Sequence, residues 1–218
     1  MRQHIDAMGG LVQWSRVESI ALCGTVERED QTVDIVIVKK RPNKIRATVT
    51  VPIPEREDEY MQLIRAHDGK RAWTATRLAG AQETVKSEIT GREAEDLLAD
   101  AGVLPKLFRL WRANQPLELV GFGDFEGRAA YIIDVHQQST ATRQRFYLDR
   151  ENLRTIGHQV SSGETTVLNR YSEYQEHNGV FLPTRTEILD PETGLSILRT
   201  ESIQIGVGIY SEYFSQVP

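Results

Sequence analysis

Apolar and polar residues alternate along most of this 218-residue chain, and the period of the alternation changes in two places. Residues 32–39 (TVDIVIVK) are rich in β-branched side chains and predict a strand, with Arg41-Pro42-Asn43 as the turn that follows. Ile45, Ala47, Val49 and Val51 then alternate with Lys44, Arg46, Thr48 and Thr50, which gives one apolar and one wet face. Pro52 and Pro54 end that ladder, because proline has no backbone N–H to donate, and residues 55–59 (EREDE) read as an exposed loop. Residues 61–67 and 70–78 flank Asp68-Gly69, a dipeptide suited to the positive-φ turn that joins twisted antiparallel strands. An earlier strand is expected around Cys23, between Ser19-Ile20-Ala21-Leu22 and Gly24-Thr25-Val26, with the thiol packed.

The helical period occurs twice. Near the start, Ile5, Met8, Leu11, Val12 and Ser15 recur every three or four residues, interrupted by Gly9-Gly10, and predict a short amphipathic helix ending near Trp14. Over residues 91–114, Ala94, Leu97, Leu98, Ala101, Leu104, Phe108 and Trp111 form an apolar stripe, with Glu93, Glu95 and Asp96 near its N-terminus. Gly102 and Pro105 are expected to split or kink it. Strands resume after Pro116 over 117–122, 128–135, 143–148, 153–160, 165–174, 180–189 and 195–206, punctuated by turn residues such as Gly123-Asp124, Asn178-Gly179 and Asp190-Pro191.

The order is therefore a helix, about six strands, a helical insert, then six or seven more strands. The expected fold is mainly β (α+β): a strongly curved antiparallel sheet forming an incomplete, half-open β-barrel, with the N-terminal helix and the 91–114 insert covering its concave side. One domain over 1–218 is the default at this length.

A net charge of −5, with both signs mixed along the chain, leaves no electrostatic footprint for nucleic acid or an anionic membrane surface. One cysteine rules out an internal disulfide, and no apolar run is long enough to span a bilayer as a helix. The chain starts without a basic and then apolar leader, which fits either a cytoplasmic protein or a mature segment trimmed of its signal.

Several segments, in order, resemble one family. Ala7-Met8-Gly9-Gly10-Leu11 with a strand ending in Gly24 looks like its opening helix and first strand, and Val38-Lys39-Lys40-Arg41-Pro42-Asn43-Lys44-Ile45-Arg46 resembles its K-R-P-N hairpin. His67-Asp68-Gly69-Lys70-Arg71-Ala72-Trp73 resembles its D-G-K-x-x-W hairpin, adjacent and in the same order. Tyr131-Ile132-Ile133 after Gly127, Arg145-Phe146-Tyr147-Leu148-Asp149, Gly179-Val180-Phe181-Leu182-Pro183, and Tyr213-Phe214 with Pro218 are similar to further motifs. The chain thus resembles the LolA-like superfamily of periplasmic carriers and sensors, which includes outer-membrane lipoprotein-sorting proteins. Likeness to the dedicated lipoprotein carrier fades after the second hairpin, and this chain is closer to the sorting-protein branch.

The resemblance implies a periplasmic protein whose signal segment is removed, with a lipid anchor on the precursor left open. It implies acyl chains of a lipid or lipoprotein as ligand, and a membrane-associated transporter or acceptor protein as partner. It also implies that Arg41, in the R-P-N turn, latches the lid helices; a guanidinium can satisfy the orphan carbonyls of a helix end, while the plain alternative is a solvated turn residue. The expected cavity wall is Val33, Ile35, Ile37, Ile45, Ala47, Val49, Trp73, Leu97, Leu98, Phe108, Trp111, Tyr131 and Ile133, all of which a plain core would also explain.

Other chemistry finds little support. His4, His67, His136, His158 and His177 have no ligand spacing, and no nucleophile has a base beside it. Gly121-Phe122-Gly123-Asp124 lacks a phosphate-loop context, and the acids Asp124 with Glu126, or Glu57, Asp58 and Glu59, fall in turns and loops. A monomeric carrier or chaperone without cofactor or enzymatic activity is expected, with an envelope sensor or protein-interaction module on the same fold as the alternative.

Overall fold

The computed structural model describes residues 1–53, 59–80, 84–136 and 142–215. Of the loop expected over 55–59, all but Glu59 lies outside the described residues, as do Pro54 and Pro218. Helices α1 (Arg2–Ala7) and α2 (Gly10–Arg16) lead into strands β1 (Ser19–Arg28), β2 (Gln31–Lys40), β3 (Lys44–Pro52), β4 (Tyr60–His67), β5 (Ala72–Leu78) and β6 (Val85–Ile89). Helices α3 (Gly91–Asp100) and α4 (Lys106–Arg112) follow. Then come β7 (Leu117–Phe125), β8 (Arg128–His136), β9 (Thr142–Asp149), β10 (Thr155–Ser162), β11 (Thr165–His177), β12 (Val180–Asp190) and β13 (Gly194–Ile205), and a 3₁₀ turn, Ser211–Phe214.

The fold is mainly β and antiparallel, as expected, and the hydrogen-bonded strand order is β6-β5-β4-β3-β2-β1-β13-β12-β11-β10-β9-β8-β7. The order is open: β6 and β7 stand at its two ends. The chain divides into two compact units. One, here the α4 unit, comprises Met1–Ser15, Glu27–Asp30 and Pro105–Arg199; the other, the α3 unit, comprises Arg16–Val26, Gln31–Leu104 and Thr200–Pro218. The split expected at Gly102 and Pro105 is present, and it sends the two halves of the helical insert to different units.

In the α4 unit, α4 lies on the apolar face of the strands: Leu107 packs with Ile133, Val135, Phe146 and Leu148, and Met1, Leu110, Leu117 and Tyr131 pack around them. His158 is buried beside them, its ring stacked 4.2 Å from Phe146 and its Nε2 3.0 Å from Gln144 Oε1. The opposite face is wet and carries ion pairs, among them the two-pronged Arg145 to Asp134 contact at 2.6 and 2.8 Å. One expected N-terminal helix is in fact two. Gly9 separates them at φ 109°, and a Cβ there would lie 2.2 Å from the Gly179 carbonyl oxygen, so the close approach to the Gly179 turn requires glycine.

In the α3 unit, the Asp68-Gly69 turn is built as the dipeptide predicts. Gly69 takes φ 99°, and Asp68 Oδ1 accepts hydrogen bonds from the Lys70 and Arg71 amides at 2.8 and 2.9 Å. Cys23 departs from expectation: it is exposed. Successive β1 side chains point to opposite faces, and the buried Gly24 beside it takes the packed side.

Candidate functional site: an apolar wall beneath α3

Residues directly opposed in an antiparallel ladder point to the same face, so register alone assembles a wall on β2 to β6. Its first row is Lys39, Ile45, His67, Ala72 and Ile89, and its second Ile37, Ala47, Arg65, Thr74 and Ser87. The third row is Ile35, Val49, Leu63, Thr76 and Val85, and the fourth brings Val51, Met61 and Leu78 together. Val33, two residues before Ile35, continues the same face. Six of the sequence-predicted wall residues, Val33, Ile35, Ile37, Ile45, Ala47 and Val49, therefore share one surface.

Burial along that surface is graded. In the first row Ile45, His67, Ala72 and Ile89 are buried. Beyond it Ile35, Ile37, Ala47, Val49, Val51 and Met61 are only half-buried, and Leu63, Leu78 and Val85 are 39%, 47% and 72% exposed. A filled core would take such side chains out of water, at about 25 cal/mol for each Å² of apolar surface covered. The wall is sealed at one end and uncovered toward the other.

Helix α3 crosses this face. It packs on β3, β4 and β5, and Arg65 of the second row donates to Glu93 Oε1 at 2.7 Å. Ala94 and Leu97 are half-buried and Leu98 is 37% exposed; α3 buries no side chain at all. The chain on either side of the helix is firmly held, with Ile89 before it and Ala101 and Val103 after it buried. Its Glu93 also lies in the first turn, where a carboxylate is favoured by the helix dipole.

The remaining predicted residues lie elsewhere. Trp73 opposes Ala66, and Ala66 opposes Arg46, which places Trp73 on the reverse face of the same strands. There its indole N–H donates to the Phe214 carbonyl at 2.8 Å, and the Arg46 guanidinium lies over the Trp73 and Tyr213 rings, with a 2.9 Å bond to the Tyr213 carbonyl. Trp73 thus pins the 3₁₀ turn. Phe108, Tyr131 and Ile133 belong to the α4 unit: Ile133 and Tyr131 serve its packed core, Phe108 is buried, and Trp111 is partly exposed 6.2 Å from the Phe108 ring. Arg41 donates from Nε to the Val17 carbonyl at 2.7 Å, one residue beyond the end of α2, and its amide donates to the Glu18 carbonyl.

The reverse face also has a polar groove of about 260 Å³, bordered by Asp68, Arg71, Trp73, Lys86 and Glu88. Two of its charges are engaged within the protein: Lys86 lies 4.3 Å over the Trp73 ring and donates to the Ser215 carbonyl, and Asp68 accepts from the Lys70 and Arg71 amides. Sequence alone missed Val51, Met61, Leu63, Leu78 and Val85 as wall residues, and Arg65 with Glu93 as a charged contact between the wall and α3. In β4 the reverse-face Ile64 and Ala66 are as apolar as Met61 and Leu63, so alternation gave no face there.

No family model and no curated protein matches this chain. Solved structures do match it, over nearly its whole length. A LolA superfamily protein from Nitrosomonas europaea superposes with a TM-score of 0.60 at 13% identity, covering 99% of this chain and 96% of that one. A DUF1329 family protein from Desulfovibrio piger gives 0.62 at 12% identity, covering 97% and 95%. A domain assigned to outer-membrane lipoprotein sorting from Vibrio parahaemolyticus gives 0.58 at 10% identity, covering 97% and 93%. The chain has the fold of these proteins.

Proposed function

We propose that this protein is a carrier or chaperone of the bacterial periplasm that holds acyl chains of a lipid or lipoprotein against the apolar wall of β2 to β6, under α3. The observation that carries the reading is the graded exposure of the wall, buried at Ile45, Ala72 and Ile89 and open at Leu63, Leu78 and Val85. An acyl chain laid along it gains on the order of 0.8 kcal/mol per buried CH₂, so useful affinity needs no specific polar contact. Cargo would pass from a membrane-associated donor to an acceptor, and no catalytic step is part of the role. Among the described residues no helix is long and apolar enough to cross a membrane. The fold shared with a lipoprotein-sorting domain supports the same direction.

Native mass spectrometry of protein purified without detergent, followed by solvent extraction, tests this reading. A co-purifying phospholipid or fatty acid in near-stoichiometric amount is the expected result. An apo mass that does not change on incubation with lipids would sink it.

A second reading, an envelope sensor or protein-interaction module, is favoured by a different feature. On the terminal strand β7, Leu119 and Phe122 are 64% and 68% exposed and Val120 is half exposed, an apolar edge able to add a strand from a partner. An unchanged apo mass would make this the reading to pursue.

A further inference from the structure

We infer that β7 is a docking edge for an extended, acidic peptide, which adds a strand there and lays apolar side chains beside Leu119 and Phe122. This deepens the interaction-module reading, on which it rests, and is independent of the wall under α3.

Three observations carry it. First, the edge has outward-facing backbone groups. The Pro116 carbonyl accepts from the His136 amide at 3.3 Å, so Leu117 and Val135 form a pair that exchanges no backbone hydrogen bond, and so do Leu119 and Ile133 two residues on. The amides and carbonyls of Leu117 and Leu119 therefore point away from β8, and β7 is a terminal strand. Second, Leu119 and Phe122 are an odd number of residues apart and would fall on opposite faces of a regular strand. The bulge between Leu119 and Gly121 corrects this: Leu119 opposes Ile133 and Phe122 opposes Tyr131, so both point to the face on which α4 lies. They extend the rows of Ile133 with Phe146 and Tyr131 with Leu148 outward, yet stay 64% and 68% exposed. Third, the elements on that face bring cations. Helix α4 carries Lys106, Arg109 and Arg112 and no acid, and the Arg150 guanidinium lies 5.6 Å over the Phe122 ring. The acids of β7 are turned elsewhere, Glu118 to His136 at 3.0 Å and Asp124 to the Gly127 amide at 2.9 Å.

A second copy of the chain fits this edge less well. In antiparallel pairing of β7 with itself, matching the outward groups of Leu117 to those of Leu119 sets Glu118 opposite Glu118, and it brings together two α4 helices that carry only cations. An acidic strand meets neither cost. Opposed residues share a face, so its side chains opposite Leu117 and Leu119 lie on the α4 face, where apolar groups continue the rows and flanking carboxylates meet the cations. The terminal strand β6, by contrast, presents Lys86, Ser87 and Glu88, a charged composition that deters strand addition.

The test is an anisotropy titration of the full chain with a labelled synthetic peptide of alternating valine and threonine ended by aspartates, against the same peptide ended by lysines. The acidic peptide should bind at least about tenfold more tightly than the lysine version, and amide exchange at Leu117 and Leu119 should slow on binding. Leu119→Pro removes an outward amide and should abolish binding, while Leu119→Ala keeps the amide and should weaken binding by less than about tenfold. Leu119→Glu with Phe122→Glu changes two exposed side chains and leaves every amide in place; it repels the acidic peptide and should weaken it by at least about tenfold. Equal binding of the two peptides, or binding of the acidic one that survives Leu119→Pro, would overturn the proposal. Preference for the lysine peptide with the same protection of β7 would overturn the acidic partner and keep the interaction module, whereas no protection of β7 by either peptide would remove both. A peptide-free dimer abolished by Leu119→Pro would assign the edge to a second copy and overturn the acidic partner.

Discussion

In the α4 unit, α4 sinks Leu107 into a cluster with Ile133, Val135, Phe146 and Leu148, each with almost no exposed surface. In the α3 unit, α3 lies across a mixed face on which Ala47, Val49 and Leu63 stand beside Arg65 and Thr74, and it buries none of its own side chains. The two helices come from one amphipathic stripe broken at Gly102 and Pro105, and their apolar spacing does not tell their packing apart. What separates them is how closely the facing strands are filled. The α4 unit spends its apolar face on its own core, whereas the α3 unit leaves Ile35, Val49, Leu63 and their neighbours incompletely covered. A surface that the chain does not cover itself is one that something else can cover.

The comparison can be broken first by stability. Leu107→Ala should cost about 2–5 kcal/mol in denaturant unfolding, because it removes a buried side chain from a closed cluster. Leu97→Ala should cost less than about 1 kcal/mol, since its side chain is already half in water. Equal losses would mean that α3 is as firmly packed as α4.

Acid distinguishes the units next. Burial, with a smaller contribution from the Lys106 charge, lowers the pKa of His158 from 6.5 to about 3, and burial lowers that of His4 as well. The folded α4 unit thus keeps His158 neutral at pH values where the unfolded chain is protonated. Stability is then lost as pH falls from about 6.5 toward 3, at up to about 1.4 kcal/mol per pH unit for this one group. His158→Gln should flatten the pH dependence of unfolding in that window, relative to the wild type. An unaltered slope would show that His158 titrates normally.

Binding should respond in the opposite unit. Val49→Asp puts a charge in the middle of the wall, where Ile35 and Leu63 oppose it, and should weaken fatty-acid binding by at least about tenfold in a fluorescence titration. A comparable loss from Leu148→Val in the α4 core, with Val49→Asp silent, would reverse the assignment. The smallest effect is expected at Cys23. Being exposed, it should react with a maleimide in the native protein, and Cys23→Ser should change stability by no more than about 0.5 kcal/mol.

Much of the fold was legible because it rests on local rules. The β-branched run over 32–39 marked a strand, the alternation over 45–51 put Ile45, Ala47, Val49 and Val51 on one face, and Asp68-Gly69 and Pro105 marked a turn and a break that are present. What was not legible depends on partners distant in sequence. Strand β6 (VKSEI) is too short and polar to announce itself, and it forms by pairing with β5. Trp73 reads as a wall residue until the C-terminal Phe214 is seen to claim it from the other side. Phe108 and Trp111 continue the period of Leu97 and Leu98, and periodicity is blind to whether the facing surface is full. Arg65 and Glu93 meet across 28 positions with no spacing rule to connect them.

The most direct test is to load the protein with a fatty acid carrying a photoreactive diazirine along its chain, irradiate, and map the adducts by peptide mass spectrometry. Adducts are expected on wall peptides of β2, β3 and β4 and on α3, with the α4 core peptides carrying Leu107, Phe146 and Leu148 unlabelled. Adducts confined to the α4 unit, or none above an unfolded control, would contradict the assignment of the wall as the ligand site.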